Sequence, residues 1–128
     1  MQITKISDNQ ELSLTKQLYD VSKEWAFLNK QASLLEETRK IIFAEIQNRL
    51  REEQVKENIK IVESKIESLA MVSIDYKSHI DRMIDARYKT NLKRAELEKV
   101  KNEIEDFKRQ EINNAIIRRE ANYTGFGG

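Results

Sequence analysis

Very few groups in this chain are equipped for chemistry. His79 is the single histidine, and Asp75 stands four residues before it, on the same face of any helix containing both. An imidazole and a carboxylate at that spacing can begin a metal site. Such sites need three or four donors, and the chain has no second histidine and no cysteine. The same shortage argues against nucleophilic catalysis, because one imidazole would have to fill every role around a serine or threonine. Phosphate-cradling loops depend on glycine, and the only glycines are Gly125, Gly127 and Gly128. The carboxylate pairs Glu36/Glu37 and Glu52/Glu53 read as solvated faces of amphipathic helices. The expectation is a protein that is not an enzyme and takes no cofactor, no metal and no small-molecule substrate.

What remains is binding. Arg49 and Arg51 are followed by Lys56 and Lys60, four positive side chains around the end of a long helical pattern. Grouped on one exposed face, they would grip the phosphates of a nucleic acid, and an oligomer would multiply the effect. The competing reading is compensation of the helix C-terminal dipole together with ordinary solubility. The net charge of +1 predicts no polyanion partner by itself. Between Lys77 and Lys101, eight Lys/Arg stand against four Asp/Glu, a surplus that also suits a solvated helix face. Trp25 and Tyr88 have the chemistry to stack on bases, but both fall on apolar stripes and read first as core. The end of the chain, 125–128, reads as a flexible tail carrying Phe126.

The elements that must position these residues are helices. Glycine and proline are missing from Met1 to Thr124, and 35% of residues are charged. Without the usual punctuation of tight turns, the chain reads as long, weakly interrupted helices. Gln2–Ile6 alternates loosely, as a short strand or frayed arm would. Ser7 and Asp8 offer N-cap chemistry, with Glu11 completing a capping box from Asp8. Behind them runs Leu14, Leu18, Val21, Trp25, Leu28, Ala32, Leu35, Ile42 and Ile46, in steps that alternate four and three apart from Arg39. That is the seam spacing of a coiled coil, and flanking Leu34, Ile41 and Phe43 widen its apolar face. A helix over about 8–53 would be roughly 65–70 Å long.

The β-branched stretch Ile59-Lys60-Ile61-Val62 is where the chain is expected to reverse, in a connection over about 54–63. Ser64-Lys65-Ile66-Glu67 has capping-box spacing and predicts a short helix over about 64–72. Ser73 offers a further cap for a last long helix over about 74–122. Its apolar residues are Ile80, Ile84, Tyr88, Leu92 and Ala95, then Leu97, Val100, Ile104, Phe107, Ile112 and Ile116. The fold class is therefore all-α: an antiparallel helical hairpin or coiled coil with a short connecting helix, in a single elongated domain over 1–124. One seam has trouble holding Trp25, Phe43, Tyr88 and Phe107 together, so a homo-oligomer is expected. No signal peptide or apolar run of membrane-spanning length is visible, so the expected location is cytoplasmic with no membrane partner.

Three segments resemble a known family. Trp25-Ala26-Phe27-Leu28-Asn29-Lys30-Gln31-Ala32-Ser33 is similar to a Trp…Leu-Asn-Lys…Ser stretch on the first long helix of the UvsY-type recombination mediators of T-even-like bacteriophages. Arg49-Leu50-Arg51 stands where that family has a compact basic motif, and Asp106-Phe107-Lys108-Arg109 falls near a similar stretch in its C-terminal helix. The resemblance implies a homo-oligomer that binds single-stranded DNA and helps load a recombinase onto DNA covered by single-strand-binding protein. Arg49 and Arg51 would then contact phosphates, with Lys56 and Lys60 in support, in the host cytoplasm if the chain is phage-encoded. The alternative is a coiled-coil structural, adaptor or assembly-chaperone protein whose ligand is another protein and which has no nucleic-acid role. An inhibitor of host defence is also compatible with the composition. A nucleic-acid binder should gather the four basic residues on one face, whereas an adaptor should leave an apolar patch exposed.

Overall fold

A computed structural model of the chain describes the backbone of residues 2–126 and the side chains of residues 9–122. The element order is α1 (Gln2–Lys56), α2 (Glu63–Met71) and α3 (Ile74–Phe126), with no strand among the described residues. The fold is all-α, with two long helices packing against each other and a short helix between them. No described helix is long and apolar enough to cross a membrane. Residues 2–6 are helical rather than a strand or arm, so Ser7 and Asp8 lie inside α1 instead of capping it. A cap candidate ends a helix only where something disfavours continuation, and no glycine or proline precedes these two. Of the expected tail, Gly125 and Phe126 fall within α3, and residues 127–128 lie outside the described residues.

The reversal after α1 is built without glycine. Asn58 takes φ 54°, the left-handed region, in the place where a glycine commonly ends a helix. The Ile59 amide donates to the Gln54 carbonyl at 2.9 Å and the Asn58 amide to the Val55 carbonyl at 3.2 Å. This pair of bonds is a Schellman motif, which satisfies carbonyls that the helix end would otherwise leave open. Asparagine tolerates the left-handed region better than other residues with a side chain, so a chain without internal glycine can still turn here. Helix α2 starts at Glu63, one residue before the expected cap. Val62 occupies the N-cap with no side-chain bond, and the Ser64 hydroxyl is not the cap. The start is instead anchored by Glu63 in the first turn, where a carboxylate suits the helix dipole. Ser73 does cap α3: its hydroxyl accepts from the Tyr76 amide at 3.2 Å, and its carbonyl accepts from Lys77 at 3.0 Å.

The sequence pattern reads as a single elongated domain, whereas packing divides the chain into two units, each drawing on both long helices. One comprises residues 1–25 and 93–128, the other residues 26–92. In the first unit, Val21, Leu97 and Val100 form a buried cluster flanked by Leu18 and Ile104. Phe107 is buried as well. Lys93 reaches Glu24 at 2.7 Å beside this cluster. In the second unit, Ala32 and Ile46 of α1 and Ile66 and Ala70 of α2 are buried. Phe43 packs its ring against Tyr76 at 5.0 Å, tilted by 56°.

The α1 seam lies where the four-and-three spacing places it. Every apolar residue from Leu14 to Ile46 on that ladder is buried or half-buried, while Arg39 is exposed. The first half of α3 differs from expectation. Ile80 is half-buried as expected, but Ile84, Tyr88, Leu92 and Ala95 are exposed, and the residues buried or half-buried over 76–90 are Tyr76, His79, Ile80, Met83, Ala86, Arg87 and Thr90. Farther along α3, Ile112 and Ile116 of the expected stripe are exposed too. In the first half the reason is that the polar groups found there have partners, so the inward face need not be the most apolar one. The His79 ring donates from Nε2 to the Leu35 carbonyl at 2.8 Å, and Thr90 donates to the Ala86 carbonyl at 2.8 Å. Tyr88 thereby leaves the seam, which relieves the crowding expected among four aromatic rings.

This register distinguishes two leucines five positions apart. Leu97→Ala should cost about 2–4 kcal/mol in urea unfolding, because it opens a cavity in a buried cluster. Leu92→Ala should cost no more than about 0.5 kcal/mol, as an exposed substitution does. Equal losses would mean that the inward face of α3 is misassigned.

Candidate functional site

Arg49 and Arg51 sit near the end of α1, two residues and so about 200° of rotation apart. They cannot share a face. Arg49 turns toward the first turn of α3 and donates from Nη2 to Asp75 Oδ2 at 2.9 Å. Arg51 turns toward the first turn of α2 and meets both Glu63 carboxylate oxygens, at 2.7 Å from Nη2 and 3.1 Å from Nε. Its Nη1 also donates to Asn48 Oδ1 at 2.8 Å. Fork-to-carboxylate hydrogen bonding holds the Glu63 carboxyl below the usual glutamate range and raises the Arg51 guanidinium further. Both arginines therefore tie the end of α1 to the starts of the two helices that follow. Lys56 ends α1 and Lys60 lies in the connection; both are exposed, and neither makes an ion pair among the described residues.

The structure brings the four sequence-derived residues to one end of the second unit but not onto one face, and it leaves two of their four charges uncommitted. Asp75, one helical turn before His79, is engaged by Arg49. The His79 Nε2 faces a carbonyl oxygen, which can only accept, so that nitrogen carries a proton and offers no lone pair. No group of three His, Cys, Asp or Glu able to hold a metal occurs among the described residues.

The densest polar site was not visible in the sequence. Arg87 of α3 reaches across to three residues of α1 at successive turns: Asn29 Oδ1 at 2.9 Å, Ser33 Oγ at 3.5 Å and Glu36. Its Nε donates to Glu36 Oε2 at 2.9 Å, and its Nη2 meets the other oxygen of the same carboxylate. Hydrogen bonding from this fork lowers the Glu36 carboxyl and raises the arginine. In the first unit, Lys93 bridges Glu24 and Glu96, and these bonds raise its ammonium above the ordinary lysine range. The only trace of the Arg87 site in the sequence is the polar series Asn29, Ser33 and Glu36, spaced four and three along one flank of the α1 seam. On the other flank, a cleft of about 430 Å³ has Leu28, Leu34, Leu35 and Ala86 among its lining, with Arg82 and Lys89 also contributing.

The apolar outer surface of the second unit includes two regular stripes on the long helices, besides exposed residues around α2 such as Val55, Val62, Met71, Val72 and Ile74. On α3, Ile84, Tyr88 and Leu92 are 59%, 62% and 54% exposed, at steps of four. On α1, Phe27, Leu34 and Ile41 stand outside the seam at steps of seven and are also exposed. The signal for them was the surplus of large apolar residues over what one seam can hold. Comparison of the chain with family models, curated proteins and solved structures found no match.

The lowered carboxyls set the acid response. A glutamate held below its ordinary range contributes its full stabilisation above the pKa of the unfolded chain and loses it as pH falls through the folded value. Glu36→Gln should therefore lower the thermal midpoint by a few degrees at neutral pH, as expected for a half-exposed pair. The wild-type and variant midpoints should converge as the pH drops below the ordinary glutamate range. Parallel curves throughout would remove Glu36 from the acid response.

Proposed function

We propose that this chain is a non-enzymatic helical adaptor that acts by docking its outer apolar surface on another protein. The observation supporting this reading is the inversion of α3 in the second unit. His79 and Thr90 are buried toward α1 with their polar atoms bonded, while Ile84, Tyr88 and Leu92 face outward. Scattered exposed leucines are ordinary, but three large side chains at i, i+4 and i+8 form a continuous strip along one helix. A strip of this kind matches the anchor spacing by which one helix recognises another. Asp81, Asp85 and Lys89 lie beside it, and Lys89 pairs with Asp85 at 2.9 Å, so a polar rim accompanies the apolar centre. The mixed rim suits a protein surface better than a polyanion.

The second reading is an accessory protein of phage-type recombination that binds single-stranded DNA and assists recombinase loading. It rests on the uncommitted Lys56 and Lys60 together with the family resemblance. Two lysines neutralise two phosphates at most, which supplies weak, salt-sensitive and sequence-independent binding. Recruitment of Arg49 and Arg51 would first require breaking their ion pairs with Asp75 and Glu63.

Fluorescence anisotropy with a labelled single-stranded oligonucleotide and a duplex control separates the readings. The adaptor reading expects dissociation constants no tighter than the non-specific range of about 1–100 µM at physiological salt, with no preference for single strands. Sub-micromolar binding that prefers single strands and is lost in Lys56→Ala/Lys60→Ala would overturn it in favour of the DNA reading.

A further inference from the structure

The outer stripe of α1 has a feature that the α3 stripe lacks: its charges are arranged to suit a second copy of itself. Phe27, Leu34 and Ile41 are 61%, 58% and 57% exposed and stand seven residues apart, so they line one face of the helix. Lys30 and Glu37 flank this face on one side, and Gln31 and Thr38 flank it on the other. All seven residues belong to the second unit. Neither Lys30 nor Glu37 has an ion-pair partner among the described residues of its own chain. We propose that this face pairs with the same face of a second copy of the chain, antiparallel, about a two-fold axis at Leu34. The proposal rests on the adaptor reading and names one of the partners that the outer surface takes.

The symmetry accounts for the residue types. About an axis at Leu34, Phe27 of each copy meets Ile41 of the other, and the two Leu34 side chains meet at the centre. A two-fold axis normal to the plane of the paired helices keeps each flank on its own side. Lys30 of one copy then lies beside Glu37 of the other, twice, and Gln31 lies beside Thr38, twice. Six large apolar side chains are covered, and four charges form two ion pairs at the rim, where they select orientation more than they add affinity. Parallel pairing of the same faces, about an axis along the helices, would carry each flank to the opposite side and set Lys30 beside Gln31 and Glu37 beside Thr38, so both ion pairs would be lost.

The chain contains no cysteine, so single introduced cysteines report the pairing directly. Leu34→Cys in the full chain should form a disulfide-linked dimer on mild oxidation, because residues at a two-fold axis approach within bonding range. Phe27→Cys alone and Ile41→Cys alone should stay uncrosslinked, since the like positions would be about 21 Å apart in an antiparallel pair. An equimolar mixture of the two should crosslink as a heterodimer. Homodimers from Phe27→Cys and Ile41→Cys separately would overturn the antiparallel assignment, and absence of any crosslink would overturn the pairing itself. Sedimentation equilibrium supplies a second readout that leaves the apolar residues in place. Lys30→Glu should weaken the dimer about tenfold, and Lys30→Glu/Glu37→Lys should return it to within about twofold of wild type. No weakening, or no rescue, would overturn the ion-pair arrangement. Crosslinking does not depend on the anisotropy result: failure here with no DNA binding removes self-pairing and leaves the adaptor, whereas tight single-strand binding removes the adaptor reading.

Discussion

The polar contacts between α1 and α3 in the second unit constrain everything else in that unit. Arg87 holds Asn29, Ser33 and Glu36, and His79 holds the Leu35 carbonyl. Each bond joins residues more than forty positions apart. A purely apolar seam tolerates sliding by one heptad, because every leucine finds another leucine. A seam containing a guanidinium and an imidazole does not, since a shift would leave the buried His79 donor unpaired and break the half-exposed fork between Arg87 and Glu36. The polar contacts therefore set the register, as single polar residues do in coiled coils. They also set the rotation of α3. Once His79, Thr90 and Arg87 face α1, Ile84, Tyr88 and Leu92 have to face away.

That rotation links the packing to the functional reading. The outer apolar strip is not an accident of composition but the reverse side of a polar seam. A helix that places bonded polar groups inward and large apolar groups outward leaves an exposed apolar strip, and the adaptor reading rests on that strip. The ends of the helices obey a related constraint. Arg49 and Arg51, two positions apart in sequence, are separated by rotation and drawn to the acidic first turns of α3 and α2. Their carboxylate partners also suit the dipoles of those helix starts, so each pair does two things at once: it ties elements together and it charges a helix N-terminus favourably. This is sufficient physical reason for the arginines without invoking a phosphate.

Much of this was legible in the residues. The all-α class followed from the missing glycine and proline, and the α1 seam from its four-and-three spacing, because an amphipathic stripe on a helix with one packing partner has a single physical solution. The Ser73 cap was equally local. Local reasoning failed where a competing signal was absent or ambiguous. Asn58 closes α1 in a position where glycine is the usual marker, and Ser64 has cap chemistry but sits one residue inside α2. In the first half of α3 the most apolar stripe was taken as the inward one, which holds only if nothing else can be accommodated inside.

The sequence by itself determined that the chain is helical, which face of α1 is buried, and that it has one histidine, no cysteine and no glycine before position 125. These depend on residue type and on spacing within a few turns, where the geometry of a helix is known in advance. The tertiary structure alone decided which face of α3 turns inward, which arginines are neutralised and which apolar residues remain outside. Those outcomes depend on partners 12 to 58 positions away, such as Glu63 for Arg51 and Asn29 for Arg87. No local pattern announces such a pair, because a buried polar side chain and an exposed one have the same sequence until the residue opposite is known.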